Sequence, residues 1–329
     1  MRLAGRRAAA VALAHGASSA PCAPCALSEN PDARFFREQH EHRLRGLTLV
    51  DEARGQWWHE VTRRMRDGEG VNTADAQGVT VLHLAAKHGK RRLVEELLMR
   101  GATPTADASG RGPLGWAAAG GHASVAATLL ELGASDVNEA DQHGTSALHV
   151  AAQQGHLGLA RTLLSRHDLQ PQAADMYGVA PLHKAVSFGH ASLVAALVGD
   201  SRVAVDQRVG DVRVPASFDA KSGNETPLGL AAGHTYHFNH THHTRIAVLL
   251  LDAGADPNLC CGAGMTAAHR AADAGNTGIV RELLARGDRV DWEARDARGR
   301  TAEELARMAG HPHIAKLISA RREAGRGRA

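Results

Sequence analysis

An internal repeat constrains the fold of this chain more than any other feature. Seven similar segments follow one another, and each has a short Ala- and Leu-rich stretch and then a second pair of large apolar residues. A lone unit of this kind cannot bury its apolar face, whereas stacked units can, so the repeat predicts a solenoid. The first parts of the segments read GVTVLHLAAKHG from Gly78, GRGPLGWAAAGGH from Gly110, GTSALHVAAQQGH from Gly144, GVAPLHKAVSFGH from Gly178, TPLGLAAGH from Thr226, GMTAAHRAADAGN from Gly264 and GRTAEELARMAGH from Gly299.

Each segment predicts two helices joined by a turn. A Thr such as Thr80 can cap the first helix, and a Pro such as Pro113 falls in its first turn, where a missing N–H costs little. Alanine pairs let neighbouring first helices approach closely, and a Gly such as Gly155 ends the helix. The second helix presents apolar residues four apart, for example Leu93 and Leu97.

The full motif resembles the ankyrin repeat over about residues 71–320. It has a turn at Asp-x-x-Gly, then Thr-Pro-Leu-His, Ala-Ala, Gly-His, Leu-Leu and Gly-Ala. The resemblance implies an all-α solenoid of about seven stacked helix-turn-helix repeats with β-hairpin fingers. It also implies that the histidines of the Leu-His position are structural and bridge neighbouring repeats by hydrogen bonds. The matching Asn72, Asn138 and Asn258 either tie the hairpin turn or, as in some ankyrin proteins, are hydroxylated.

The flanks of the array differ from the repeat. Residues 1–34 predict a disordered leader, and residues 1–28, which hold no acid, are also compatible with a transit peptide or a weak secretory signal. Residues 35–70 predict an N-terminal helical cap, in which Trp57 or Trp58 shields the first repeat. Residues 321–329 predict a basic disordered tail. We expect a cytoplasmic protein, or an organellar one if the leader is a transit peptide.

Two insertions interrupt the array after its fourth repeat. The turn positions are spaced by 32 to 34 residues up to Asp175, and then by 46 and 40. The first insertion, near 199–222, has alternating valines and predicts an extended, strand-like finger. The second, near 233–245, separates the two helices of the fifth unit and holds five histidines. Insertions in repeat arrays often lie on the binding face, so both are candidate specialised surfaces.

The histidine-rich insertion has three interpretations. Imidazoles bind zinc, copper or nickel, and His234, His237 and His240 are weak metal candidates. Clustered histidines could instead make a binding loop sensitive to pH. Asn239, Thr241 and Thr244 favour an ordinary polar turn.

Composition and motifs exclude several other functions. A net charge of +3 is too balanced to indicate a nucleic-acid-binding protein, and no apolar run is long enough to span a membrane. The cysteines are too few for a disulfide scaffold and do not form paired zinc-ligand motifs. The glycines after Gly262 belong to the repeat, and no phosphate-binding loop or nucleophile elbow occurs. We therefore expect no enzyme, no cofactor and a monomer.

The sequence thus predicts a non-catalytic scaffold or adaptor that binds a partner protein through the concave surface and the inserted loops. The alternative is a metal-binding or pH-responsive module that uses residues 234–243. Variable residues at the ends of first helices and at hairpin tips should set specificity. The candidate partner-binding residues are Lys87, His88, Gln153, Gln154, Tyr177, Phe188, Arg208, Arg213 and Asp273.

Overall fold

The computed structural model describes residues 48–67, 70–210, 224–233 and 240–326. The predicted leader therefore lies outside the described residues, as do parts of both insertions. The same holds for Arg213, His234, His237 and the side chain of His240. The predictions made for these residues remain predictions.

The described residues form sixteen α-helices, short in the first part of each repeat and longer in the second. They are α1 (Leu49–Arg54), α2 (Trp58–Arg66), α3 (Val81–Lys87), α4 (Arg91–Met99), α5 (Pro113–Gly120), α6 (Ala123–Glu131), α7 (Ala147–Gln154), α8 (Leu157–Leu164), α9 (Pro181–Ser187), α10 (Ala191–Val198), α11 (Pro227–Gly233), α12 (His240–Asp252), α13 (Ala267–Asp273), α14 (Thr277–Ala285), α15 (Ala302–Met308) and α16 (Pro312–Arg326).

From α3 onward these helices form seven consecutive pairs in two layers. The first helix of each pair packs on the first helices of its neighbours, and the second helices do the same. Alanines such as Ala117 and Ala151 are fully buried in the first layer, and leucines such as Leu129 and Leu163 are fully buried in the second. Each fully buried leucine contributes about 1.5–3 kcal/mol. The predicted all-α solenoid is confirmed.

The fingers between pairs are tight turns rather than β-hairpins. Among the described residues the only strand pairing consists of two isolated bridges, Ala74 with Thr80 and Ala140 with Ser146. Each described turn is closed by a backbone hydrogen bond between residues four apart, and in most of them an aspartate adds side-chain hydrogen bonds. Asp175 is typical, since its Oδ1 accepts hydrogen bonds from the backbone N–H groups of Tyr177 and Val179, both at 3.0 Å.

The strand-like finger predicted near 199–222 is wrong for the part that is described. Residues 201–206 form turns, and residues 207–210 have neither turn nor strand. Val203 and Val209 are buried in the core. The alternating valines therefore do not mark a strand. This irregular backbone directs Val203 and Val209 into the core, and the free energy of their apolar burial outweighs the preference of valine for strands.

Side chains join each repeat to the next by hydrogen bonds. The Nε2 of His149 donates to the carbonyl of Val179 at 3.0 Å, and that of His183 donates to the carbonyl of Gln207 at 2.8 Å. Asn138 donates to the carbonyl of Asp168 and accepts from the N–H of Gln170, both at 2.8 Å. Asn72 and Asn258 make equivalent pairs of bonds. These bonds support the structural role of both residue types.

A second set of histidines packs over the glycine that ends the first helix of the preceding repeat. Gly155 has a φ of +77°, and a β-carbon added there would lie 2.7 Å from Cε1 of His190. His122, His156 and His311 lie in the same way over Gly89, Gly121 and Gly275. The glycine is needed both for its backbone angle and for the space that the imidazole fills.

We expect Gly155→Ala to lower the free energy of unfolding by about 2–3 kcal/mol. About 1–2 kcal/mol comes from the left-handed backbone conformation and the rest from displacing His190. The control is Gly133→Ala, because Gly133 also has a positive φ, +65°, but open space beyond it. Urea unfolding measures both variants, and equal losses would contradict this packing role.

The fifth helix pair departs from the predicted polar turn. Helix α12 already begins at His240, so residues 240–245 of the second insertion are helical. His243 is buried, and its Cε1 lies 3.7 Å from the position of a β-carbon on Gly189. His243 thus takes the place over the glycine that the histidine of the Gly-His motif fills in other repeats.

The two ends of the described chain are also helical. Helices α1 and α2 precede the array, α1 packs on α3, and Trp58 rather than Trp57 packs against the core. At the other end α16 runs to Arg326, so a disordered tail from residue 321 is wrong for 321–326. Arg, Glu and Ala favour helix here, and Arg321 donates to Asp288 at 3.0 Å. Across the described residues, no helix combines the length and the apolar character needed to cross a membrane.

Candidate partner-binding surface

The first helices stack in one layer, so equivalent positions at their C-terminal ends line up from repeat to repeat. Together with the turn tips, these ends form what we call the first-helix face. It is defined by exposed or half-exposed positions of successive repeats. They are Lys87, His88, Gln153, Gln154, Met176, Tyr177, Phe188 and Asp273.

Phe188 lies at the centre of the first-helix face and is 49% exposed. Its ring stacks on that of His190, with centroids 6.4 Å apart and planes 10° apart. The Nε2 of His190 donates to the carbonyl of Gln153 at 3.0 Å, so the imidazole is fixed by the preceding repeat. The exposed aromatic ring is therefore held in position before any partner arrives.

Polar and sulfur-containing side chains occupy other positions of the first-helix face in this part of the array. Gln154 accepts a hydrogen bond from His156, with 2.9 Å between Oε1 and Nε2. At the turn tip, Met176 is 53% exposed and its sulfur lies 3.2 Å from Nδ1 of His143. Tyr177 is half-buried and packs against the core, so of the two predicted aromatic anchors only Phe188 is open to solvent.

The amino-terminal end of the first-helix face combines lysines with indole rings. Lys87 Nζ lies 5.4 Å from the ring centroid of Trp116, and Lys90 Nζ lies 5.7 Å from that of Trp58. His88 contacts Trp58, with ring centroids 5.5 Å apart. Burial, followed by the charges of Lys87 and Lys90, lowers the pKa of His88. These contacts with indole rings position the two lysines, whose charges make this end of the face positive.

The remaining predicted residues are not brought to this centre. Asp273 and Arg208 are both exposed, in the sixth helix pair and in the turns after α10 respectively. On the same helix as Asp273, Arg270 pairs with the buried Glu225 at 2.6 Å. The candidate surface therefore divides into a basic amino-terminal end, an aromatic centre and a separate carboxyl-terminal part.

Two surface residues were not among the sequence-based candidates. Trp116 follows the position equivalent to His83, and its Nε1 donates to Asp107 at 2.9 Å. Met176 is the first variable residue after the turn aspartate. A register of the seven segments places both at variable positions of the repeat, so this signal was present in the sequence.

The described part of the chain contains no set of side chains that supports the metal-binding hypothesis. Within it, no three His, Cys, Asp or Glu side chains are placed to hold one metal ion. The two histidines of the Leu-His position whose pKa moves furthest are His149 and His183. Burial lowers the pKa of each to about 4. Both are neutral near pH 7 and serve as hydrogen-bonding parts of the core.

Comparison with known proteins agrees with this architecture. The family model for ankyrin repeats matches three stretches, residues 59–141, 135–211 and 236–325. Among solved structures, the chain is similar to the ankyrin repeat domain of Bcl-3, described as a unique member of the IkappaB protein family. That match has a TM-score of 0.59 and 25% identity, and it covers 73% of this chain and 99% of the other. Comparison with curated proteins gives no match.

The family matches extend over almost all of the helix pairs, although they do not count single repeats. The predicted number of about seven therefore stays a prediction, supported by the seven helix pairs. The three stretches together cover more than half of the chain. This chain belongs to the ankyrin-repeat family.

Proposed function

We propose that this chain is a non-catalytic adaptor or scaffold that binds a partner protein through the first-helix face, with Phe188 as the central anchor. Its ankyrin repeats make it a protein-interaction domain. The observation that carries the finer proposal is the exposed ring of Phe188, fixed on His190. A rigid aromatic side chain surrounded by polar groups is the usual chemistry of an interface hot spot.

Burial of this ring would supply a large share of the binding free energy. An aromatic anchor buries its apolar area with little loss of side-chain entropy when it is already held in place. Gln153 and Gln154 lie beside it and can form the polar rim, and Tyr177 can contribute its half-exposed edge. Arg208, Arg213 and Asp273 remain proposed contacts further along the array.

We expect Phe188→Ala to reduce capture of a specific partner about tenfold or more, which corresponds to a loss of about 1.4 kcal/mol. The full chain would be immobilised, and captured proteins quantified by isotope-labelled mass spectrometry. Met99→Ala is the control, because Met99 is 80% exposed but ends the second helix α4. If both variants retain the same partners at the same level, the aromatic centre is not the recognition element.

The alternative of a metal-binding or pH-responsive module lacks a supporting observation in the described residues. One of the five inserted histidines, His243, is packed against Gly189 as part of the fold. We further propose a monomer in the cytoplasm, or in an organelle if residues 1–28 act as a transit peptide.

A further inference from the structure

The turn that joins α3 to α4 carries the densest positive charge on the first-helix face. We call residues 87–92, which read KHGKRR, the basic turn. Four of its side chains are cationic and exposed: Lys87, Lys90, Arg91 and Arg92. The equivalent turn after α7 reads QGH and carries no fixed charge.

Most of this charge is not neutralised by carboxylates of the described residues. Arg91 pairs with Glu95 at 2.9 Å, on its own helix. In the described part of the chain, Lys87, Lys90 and Arg92 have no carboxylate within ion-pair distance, and the two lysines contact only indole faces. Nearby Glu96 is already engaged by Arg100 at 2.9 Å. The basic turn is thus a surface whose counter-charge has to come from outside the described residues.

A groove of about 460 Å³ lies directly beside the basic turn. Helix α2 lines the groove with Trp58 and Thr62, and α4 lines it with Leu93 and with Glu96, whose carboxylate is paired with Arg100. The basic turn contributes Gly89, Lys90, Arg91 and Arg92. The groove combines apolar side chains with unpaired cations. This combination suits an extended peptide segment that carries both carboxylates and apolar side chains.

We propose that the basic turn and this groove bind an acidic segment of the partner protein. The inference rests on the proposed protein-binding function and adds the chemistry of the partner at one end of the array. Unpaired cations complementary to a chain of carboxylates raise the rate of association and set its orientation. The aromatic centre at Phe188 would bind a different part of the same partner.

The surface fits an acidic protein segment better than a nucleic acid. Single-stranded nucleic acids bind by stacking bases on open aromatic faces along a basic track. Here Trp116 and Trp58 each have a lysine nitrogen over the ring, so those faces are already occupied. The net charge of the chain is only +3, which does not indicate a basic track along the rest of the protein.

The test is direct binding of fluorescein-labelled polyglutamate to the full chain, followed by fluorescence anisotropy. A polyglutamine peptide of equal length is the neutral control. We expect the triple variant Lys87→Gln, Lys90→Gln, Arg92→Gln to weaken binding about tenfold, since each exposed ion pair contributes modestly. Raising NaCl from about 50 to 200 mM should weaken binding of the unsubstituted chain as well.

A matched triple variant separates this site from general attraction. Arg161→Gln, Arg245→Gln and Arg281→Gln remove the same charge from exposed positions that form no ion pair within the described residues. We expect this variant to bind polyglutamate as the unsubstituted chain does. Lys90→Gln alone should show part of the effect, and circular dichroism checks that all variants are folded.

Three outcomes overturn the inference. The first is no binding of polyglutamate, and the second is an equal loss in both triple variants. The third is tighter binding of single-stranded oligothymidine than of polyglutamate, which would assign the basic turn to nucleic acid. None of these affects the capture experiment with Phe188→Ala, so failure of the acidic-segment inference and failure of the proposed function are distinguishable.

Discussion

Replacement of Asp175 by alanine is expected to lower the free energy of unfolding by about 3–5 kcal/mol, the range for breaking a buried ion pair. Its side chain is almost fully buried and lies 3.1 Å from Nζ of Lys184, which is itself buried. The same carboxylate accepts the two backbone hydrogen bonds that shape the turn before α9. The alanine variant would leave an ammonium group and two N–H groups without their acceptor.

The control is Asp141→Ala, one repeat earlier. Asp141 makes the same two turn bonds, to the N–H groups of His143 and Thr145 at 2.9 Å. Its cationic neighbour Arg111 is half-exposed and 3.5 Å away. The difference in urea midpoint between the two variants therefore reports on the buried lysine. Adding Lys184→Met should recover part of the lost stability in the Asp175→Ala variant but not in the Asp141→Ala variant. Equal losses of stability in Asp175→Ala and Asp141→Ala would contradict the role of the buried ion pair.

A second large effect is expected from pH. Lowering the pH from 7 to 5 should reduce the free energy of unfolding by about 4 kcal/mol through His149 and His183 together. Burial lowers the pKa of each to about 4, against 6.5 for a free imidazole. Between these two values the unfolded chain binds more protons than the folded one. The stability is therefore present above pH 6.5 and is lost as the pH falls toward 4.

Burial is the main reason why these two rings resist protonation, and the hydrogen bonds at Nδ1 act in the same direction. The Nδ1 of His149 accepts from the N–H of Ser146 at 3.2 Å, and that of His183 accepts from the N–H of Ala180 at 3.2 Å. A proton on either Nδ1 would face a donor. Burial raises the pKa of Glu139, which offsets part of the loss.

Urea unfolding at pH 7, 6 and 5 measures this dependence. His183→Gln serves as the comparison, because it removes one of the two groups and should reduce the pH dependence by about half, whatever its own stability. A midpoint that does not change between pH 7 and 5 would show that the buried imidazoles do not control acid stability.

The sequence predicted the layers of this fold because the determinants are local to each repeat. Pro113 and Pro181 begin their helices, and Gly155 and Gly189 follow the helix ends with positive φ, all as their residue types require. Such features depend on a few neighbouring residues. These helix start and stop residues recur in most segments. The repetition makes the predicted helix boundaries more certain than one segment alone would.

What the sequence could not determine was contact between repeats where the register is interrupted. His243 lies over Gly189 because the last part of the insertion forms the first turns of α12. Tyr177 and Phe188 are both aromatic and variable, yet Tyr177 packs partly against the core and Phe188 is 49% exposed. The lysine–indole contacts join successive helix pairs, and no spacing within one segment indicates them.

Among the described residues, each helix pair makes its main contacts with its immediate neighbours, and this affects how the chain folds. The bonds between repeats join residues roughly one repeat apart, as His149 and Val179 or Asn138 and Asp168 show. Each step of assembly therefore closes only a short loop, whose entropic cost does not grow with the length of the array. The described repeats can nucleate within one group and extend pair by pair, so the rate of folding should follow the local repeat rather than the size of the whole chain.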